Sequence, residues 1–89
     1  MKNKVLIKII FPEVGESFDI FIPVNEQIWK VSRLITKSIF DICGLPFDLS
    51  SDTYTLYDCI NGKLYNPNEV VINTDIRNGS ELLLIYSEG

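Results

Sequence analysis

Side chains that ordinarily do chemistry are scarce in this sequence. Its 89 residues include no histidine and two cysteines, Cys43 and Cys59. Without an imidazole the commonest general base is missing, and so is the usual activator of a serine or cysteine nucleophile. Two thiolates alone cannot close a structural zinc site, and they fall short of the four cysteines that an iron–sulfur cluster takes. Carboxylates held together would be another route to acid–base work, but Asp48 and Asp52 fall in loop-like, solvated sequence. No Walker or Rossmann glycine pattern is present. The residues thus name no catalytic site, no metal and no cofactor, and they point to binding. Cys43 and Cys59 read as buried or half-buried thiols in a reducing cytoplasm, since a secreted domain this short would often carry more cysteines. A bridge between the two would need a separation that spacing alone does not give.

Composition sharpens the exclusion. The net charge is −4, with 46% apolar and 22% charged residues, as in an ordinary globular domain. An acidic surface argues against nucleic acid or anionic membrane as a partner, because both need a basic surface. Lys2 and Lys4 followed by VLIKIIF suggest a leader, but Lys8 interrupts the run and no small-residue cleavage site follows. No apolar run reaches the roughly 18 residues of a membrane span. The expectation is one soluble, cytoplasmic domain over 1–89.

Any binding surface must be positioned by a helix and a sheet. The segment Asn25–Pro46 reads as one amphipathic helix. Asn25 suits an N-cap, Glu26 and Gln27 suit the first turn, Gly44 suits a left-handed C′ position, and Pro46 cannot continue the helix. Ile28, Val31, Ile35, Ile39 and Ile42 form its core stripe. Trp29, Thr36 and Phe40 fall on the flank beside Arg33. They either cover the rim of the sheet or form an exposed aromatic patch with a cation, which is hot-spot composition.

Alternation predicts strands on both sides of the helix. In Val5–Phe11 the inward set is Val5, Ile7, Ile9 and Phe11, with Leu6, Lys8 and Ile10 outward. Phe18–Val24 turns Phe18, Ile20 and Ile22 inward and Asp19 and Phe21 outward, with Pro23 at its end. Thr53–Ile60 is a third strand. There Leu56 belongs inside while Asp58 shares its parity, which predicts a bulge or register change. Asn61-Gly62 predicts a type I′ turn into a short fourth strand over Lys63–Tyr65. Val70–Asn73 is a short strand or tight turn. Glu81–Tyr86 closes the chain, apolar on both sides and hence central. One helix covers one face only, so the other presents Leu6, Ile10, Phe21, Leu83 and Ile85, with Tyr57 and Cys59 beside them. This face is more apolar than a solvated one, and a protein partner or a weak homodimer would cover it.

The order of hairpin, helix and turn-rich run closing on a central strand is that of the β-grasp, and the core spacing resembles ubiquitin's. Phe18, Ile20 and Ile22 precede the helix as ubiquitin's second-strand triplet does. Ile28, Val31 and Ile35 repeat the helix core spacing, and Gly44-Leu45-Pro46 is similar to the Gly-Ile-Pro that ends the ubiquitin helix. Ile76, Leu82 and Leu84 match the final loop and strand. Among ubiquitin-like groups the chain looks most like the bacterial YukD/EsaB family of type VII secretion systems. Ile76-Arg77-Asn78-Gly79-Ser80-Glu81-Leu82 is similar to that family's Ile-x-Asn-Gly-Asp-x-Leu ending, with Ser80 where Asp is usual. The tail Ser87-Glu88-Gly89 lacks the Gly-Gly carboxylate that ubiquitin and the β-grasp sulfur carriers need for adenylation, and YukD-like proteins lack it as well.

The resemblance implies an α+β, β-grasp fold, with a mixed four- to five-stranded sheet and one long helix on one face. It implies a non-enzymatic cytoplasmic accessory or adaptor protein that works by contact with secretion-machinery components. Ubiquitin meets partners on the face away from its helix, and Cys59 and Ile85 fall near the matching positions. The alternatives are a modifier or sulfur carrier made as a precursor, and a generic β-grasp adaptor.

Overall fold

The computed structural model describes residues 3–46 and 53–86. The 47–52 connection, with Asp48 and Asp52, and the 87–89 tail lie outside the described residues.

Strands β1 (Lys4–Phe11) and β2 (Glu16–Pro23) form an antiparallel hairpin, followed by helix α1 (Ile28–Cys43) and strand β3 (Tyr54–Asp58). A short 3₁₀ turn (Val71–Asn73) leads to strand β4 (Glu81–Tyr86). The sheet order is β2-β1-β4-β3, with β1 and β4 parallel and the other pairs antiparallel. Both alternations hold. Ile7, Ile9, Phe11, Leu82 and Leu84 point to the helix and are buried, as are Ile22 and Leu56. The first and last strands meet in parallel at the sheet centre, as the β-grasp order requires.

The helix begins later than expected. Gln27, not Asn25, is the N-cap, and no side chain caps it. The loop after β3 takes over that role: the Ile28 N–H donates to the Glu69 carbonyl at 2.9 Å and the Trp29 N–H to the Pro67 carbonyl at 3.0 Å. Helix N–H groups need partners, and tertiary carbonyls meet the need as well as a local cap does. Gly44 ends the helix in the left-handed region at φ 69°, as expected.

The buried face of α1 also differs. It consists of two rows spaced by four, Ile28-Ser32-Thr36-Phe40 and Val31-Ile35-Ile39, the second leading to half-buried Cys43. Each step of four residues advances about 40° beyond a full turn, so the contact stripe winds around the helix. By the last turn it has reached Phe40 and Cys43, and Ile42 is left 68% exposed. Phe40 is only 6% exposed and packs with Phe11 and Tyr54 at ring centroid distances of 5.9 and 5.6 Å. It is core, and so is Thr36, whose hydroxyl donates to the Ser32 carbonyl.

The third strand needs no bulge, because it ends where the parity conflict arises. Asp58 opens a turn in which its Oδ1 accepts the Ile60 and Asn61 N–H groups at 2.7 and 3.3 Å. A type I′ turn places both central residues at positive φ. Here Gly62 is positive, but no non-glycine residue is, so the turn is a wider one closed by the Asp58 N–H on the Lys63 carbonyl. The expected fourth strand at 63–65 shrinks to one bridge, Tyr57 to Leu64, and the sheet has four strands. Val71–Asn73 is the tight turn of the two expected alternatives. The Val71 and Ile72 N–H groups donate to the Glu26 and Val24 carbonyls, which seats the turn across the helix start.

Candidate functional site

Parity builds the face away from the helix. Strand register sets Leu6 beside Phe21, Ile10 beside Leu83, Leu83 beside Tyr57, and Ile85 beside Thr55. Cys59 lies just past β3, where its N–H donates to the Glu81 carbonyl at 3.1 Å. Leu6, Ile10, Phe21, Cys59, Leu83 and Ile85 therefore come to one side of the sheet, but they do not form one patch. A polar row, Asp19-Lys8-Glu81, crosses between them. On one side of that row stand Phe21, 64% exposed, and Leu6, 39% exposed. On the other side Ile10, Leu83, Ile85 and Tyr57 are half-buried. The charged row was readable as three residues, but its continuity depends on register, which periodicity does not supply.

The loop before β4 holds this face in place. Asn78 Oδ1 accepts the Leu6 N–H at 2.8 Å, and the Gly79 N–H donates to the Leu6 carbonyl at 2.8 Å. Gly79 has φ 87°, a region that favours glycine. Ser80 Oγ accepts the Arg77 N–H at 2.8 Å. A short side-chain oxygen suffices for that bond, so serine does here what an aspartate would do. The Asn-Gly-Ser segment is thus a clamp that starts the β1–β4 pairing.

The flank of α1 differs from expectation. Phe40 leaves the proposed Trp29, Arg33 and Phe40 patch for the core, while Trp29 and Arg33 stay exposed. The Trp29 indole N–H donates to Gln27 Oε1 at 3.1 Å, and Lys30 Nζ stands 5.5 Å from the ring centroid. Between this flank and β3 lies a groove of about 300 Å³, whose lining includes Ile28, Trp29, Arg33, Leu56, Tyr65 and Pro67. Helix spacing exposed Trp29 and Arg33 in the sequence. The opposite wall comes from β3 and the distant loop through Tyr65 and Pro67, and no local signal places them there.

Three titratable side chains meet at Tyr65. The Tyr65 phenol, in a buried residue, donates to Asp75 Oδ1 at 2.8 Å, and Asp58 Oδ2 stands 3.3 Å from the same oxygen. Burial first, and then the Asp75 hydrogen bond, pushes this phenol well above its ordinary range. The Ile60 N–H holds the Asp58 carboxyl below its ordinary value. The cluster ties the turn after β3 to the loop before β4. Among the described residues no group of three or more potential metal ligands occurs, and no helix is long and apolar enough to cross a membrane.

No protein-family model matches the sequence, and no curated protein matches it. Solved structures do match in shape. The EccD5 ubiquitin-like domain from Mycobacterium xenopi aligns with a TM-score of 0.74 at 14% identity, covering 97% of both chains. A chain of the MycP5-free ESX-5 inner membrane complex aligns with a TM-score of 0.74 at 13% identity. That match covers 98% of this chain and 22% of the other. A chain of the toluene 4-monooxygenase HD complex with the inhibitor 4-bromobenzoate aligns with a TM-score of 0.76 at 6% identity, covering 94% and 99%. The protein has the ubiquitin-like β-grasp fold: one helix packed on a four-stranded mixed sheet. That fold is shared by a secretion complex and a monooxygenase complex, so function has to be argued from the surface.

Proposed function

We propose that this chain is a single ubiquitin-like domain that serves as a cytoplasmic accessory or adaptor protein of an ESX-type (type VII, WXG100) secretion machine, acting by protein–protein contact and not by catalysis. One observation carries the contact reading: the sheet face away from the helix presents Leu6 and Phe21 to solvent on one side of the Asp19-Lys8-Glu81 row and half-buried Ile10, Leu83 and Ile85 on the other. Apolar groups gathered on one face and bordered by polar residues suit an interaction surface. The secretion reading is supported by the likeness to the EccD5 domain and the ESX-5 complex chain. The YukD/EsaB-like Ile76–Leu82 ending also supports it, although the clamp it forms would serve any parallel β1–β4 pair.

On this reading the polar row has a use. Lys8 between Asp19 and Glu81 would set orientation while the apolar groups on either side supply contact area. The test is capture of secretion-machine components from the native host, with Phe21→Ser and with the double change Leu83→Glu and Ile85→Lys. Each variant should keep a cooperative thermal transition and lose those components. A folded variant pair that still captures them would overturn the proposal, and so would capture by the parent protein of no component of such a machine.

A further inference from the structure

We infer that the groove between α1 and β3 is a second docking site, and that its ligand is an acidic linear segment of a partner protein carrying one bulky apolar side chain. The charge distribution points there first. The chain is net negative, yet Lys30, Arg33 and Lys37 follow one another at i, i+3 and i+7 on α1, where Asp41 is the lone acid. Such spacing puts the three cations on one exposed face over a rise of about 10 Å. None of the three makes a hydrogen bond or ion pair among the described residues, apart from the Lys30 contact with the Trp29 ring.

Shape points to the same place. The groove beside these cations, at about 300 Å³, is at the small end of ligand-sized clefts. Its walls are apolar where it is deep: Ile28, Leu56 and Tyr65 are buried residues. The polar groups of the helix wall are already engaged. Ser32 Oγ donates to the Trp29 carbonyl at 2.9 Å, and the Trp29 indole N–H is held by Gln27. The groove therefore offers an entering side chain the carbon surface of Ile28, Leu56 and Tyr65, with Thr53 and Thr55 in the strand wall, and offers carboxylates Arg33 in its lining, with Lys30 and Lys37 on the adjoining helix face behind Arg33. Trp29 is tethered in advance, which lowers the entropic cost of ordering it on binding.

The same observations weigh against other occupants. Three cations on a net-negative chain are few for nucleic acid, whose binding rests on many phosphate contacts. A second copy would have to supply the acidic segment from its own surface, and its concentration dependence would reveal it. The groove lies on the helix side of the sheet, so the site is independent of the contact face proposed above.

The probe is a random peptide library selected on the purified protein, with ¹H–¹⁵N NMR to locate the bound peptides. Selected peptides should be rich in Asp and Glu around an aromatic or Leu, and should shift the amides of Trp29, Ser32, Arg33 and Leu56. Arg33→Glu with Lys37→Glu, both exposed positions, should keep the thermal midpoint and weaken these peptides by about tenfold or more. The milder Arg33→Gln should weaken them less, and added salt should weaken them throughout. Leu83→Glu with Ile85→Lys should leave their affinity unchanged. The inference is overturned by enrichment without an acidic excess, by shifts confined to the outer sheet face, or by no enrichment at all. It is overturned equally by tighter binding of a single-stranded oligonucleotide, or by sedimentation showing that a second copy fills the groove.

Discussion

The two exposed surfaces of this domain are built by different rules. The outer sheet face arises from alternation: every second residue of each strand goes there, whatever its chemistry. It is broad, split by the Asp19-Lys8-Glu81 row, and lies outside the core. The α1–β3 groove is assembled from a helix flank, a strand and the loop that carries Pro67. Its floor consists of core residues, so its depth depends on the same contacts that hold the fold together. A sheet face can thus be re-surfaced freely, whereas a groove of this kind can be altered only at its rim.

The largest effect that breaks the comparison is at the groove floor. Leu56 is 1% exposed, and Leu56→Ala should destabilise the protein by about 2–5 kcal/mol, as buried Leu→Ala changes do. Urea unfolding checks this, and a loss under about 1 kcal/mol would mean that the floor is not core.

A smaller effect is expected at Tyr65, where groove wall and turn meet. Tyr65→Phe removes a hydrogen bond to a carboxylate and should cost about 1.5–3 kcal/mol. The pH dependence carries a sign. The phenol is raised in the fold, so its stabilisation is fully present below the free phenol value of about 10 and is lost as pH rises through the folded-state value. The Asp58 carboxyl is lowered, so its contribution is present above about 4 and is lost as pH falls through its folded-state value. Thermal midpoints should fall above about pH 10 in the parent protein and fall less in Tyr65→Phe; equal alkaline slopes would assign the loss to other groups.

The smallest effect sharpens the contrast from the other side. Phe21 is 64% exposed, so Phe21→Ser should change stability by no more than about 0.5 kcal/mol, even though it removes the largest apolar group of the outer face. A larger loss in a chemical-denaturation series would show that this face contributes to the fold and is not held only for contact.

Much was legible in the chain itself. Alternation in Val5–Phe11 and Glu81–Tyr86, the glycine stop at Gly44 and the order of elements determined a helix on one face of a mixed sheet. Those signals are local, with periods of two and about 3.6 that the backbone imposes on any sequence. What tertiary structure alone decided was every matter of partners. The helix start moved to Ile28 because carbonyls from 67–69 met its amides. Phe40 and Thr36 became core, and Ile42 did not, because the packed stripe winds with the crossing of helix and sheet. The polar row across the outer face and the second wall of the groove exist because strands and loops distant in sequence come into register. Register and crossing angle are set by the whole set of packed side chains at once, and no single segment carries them.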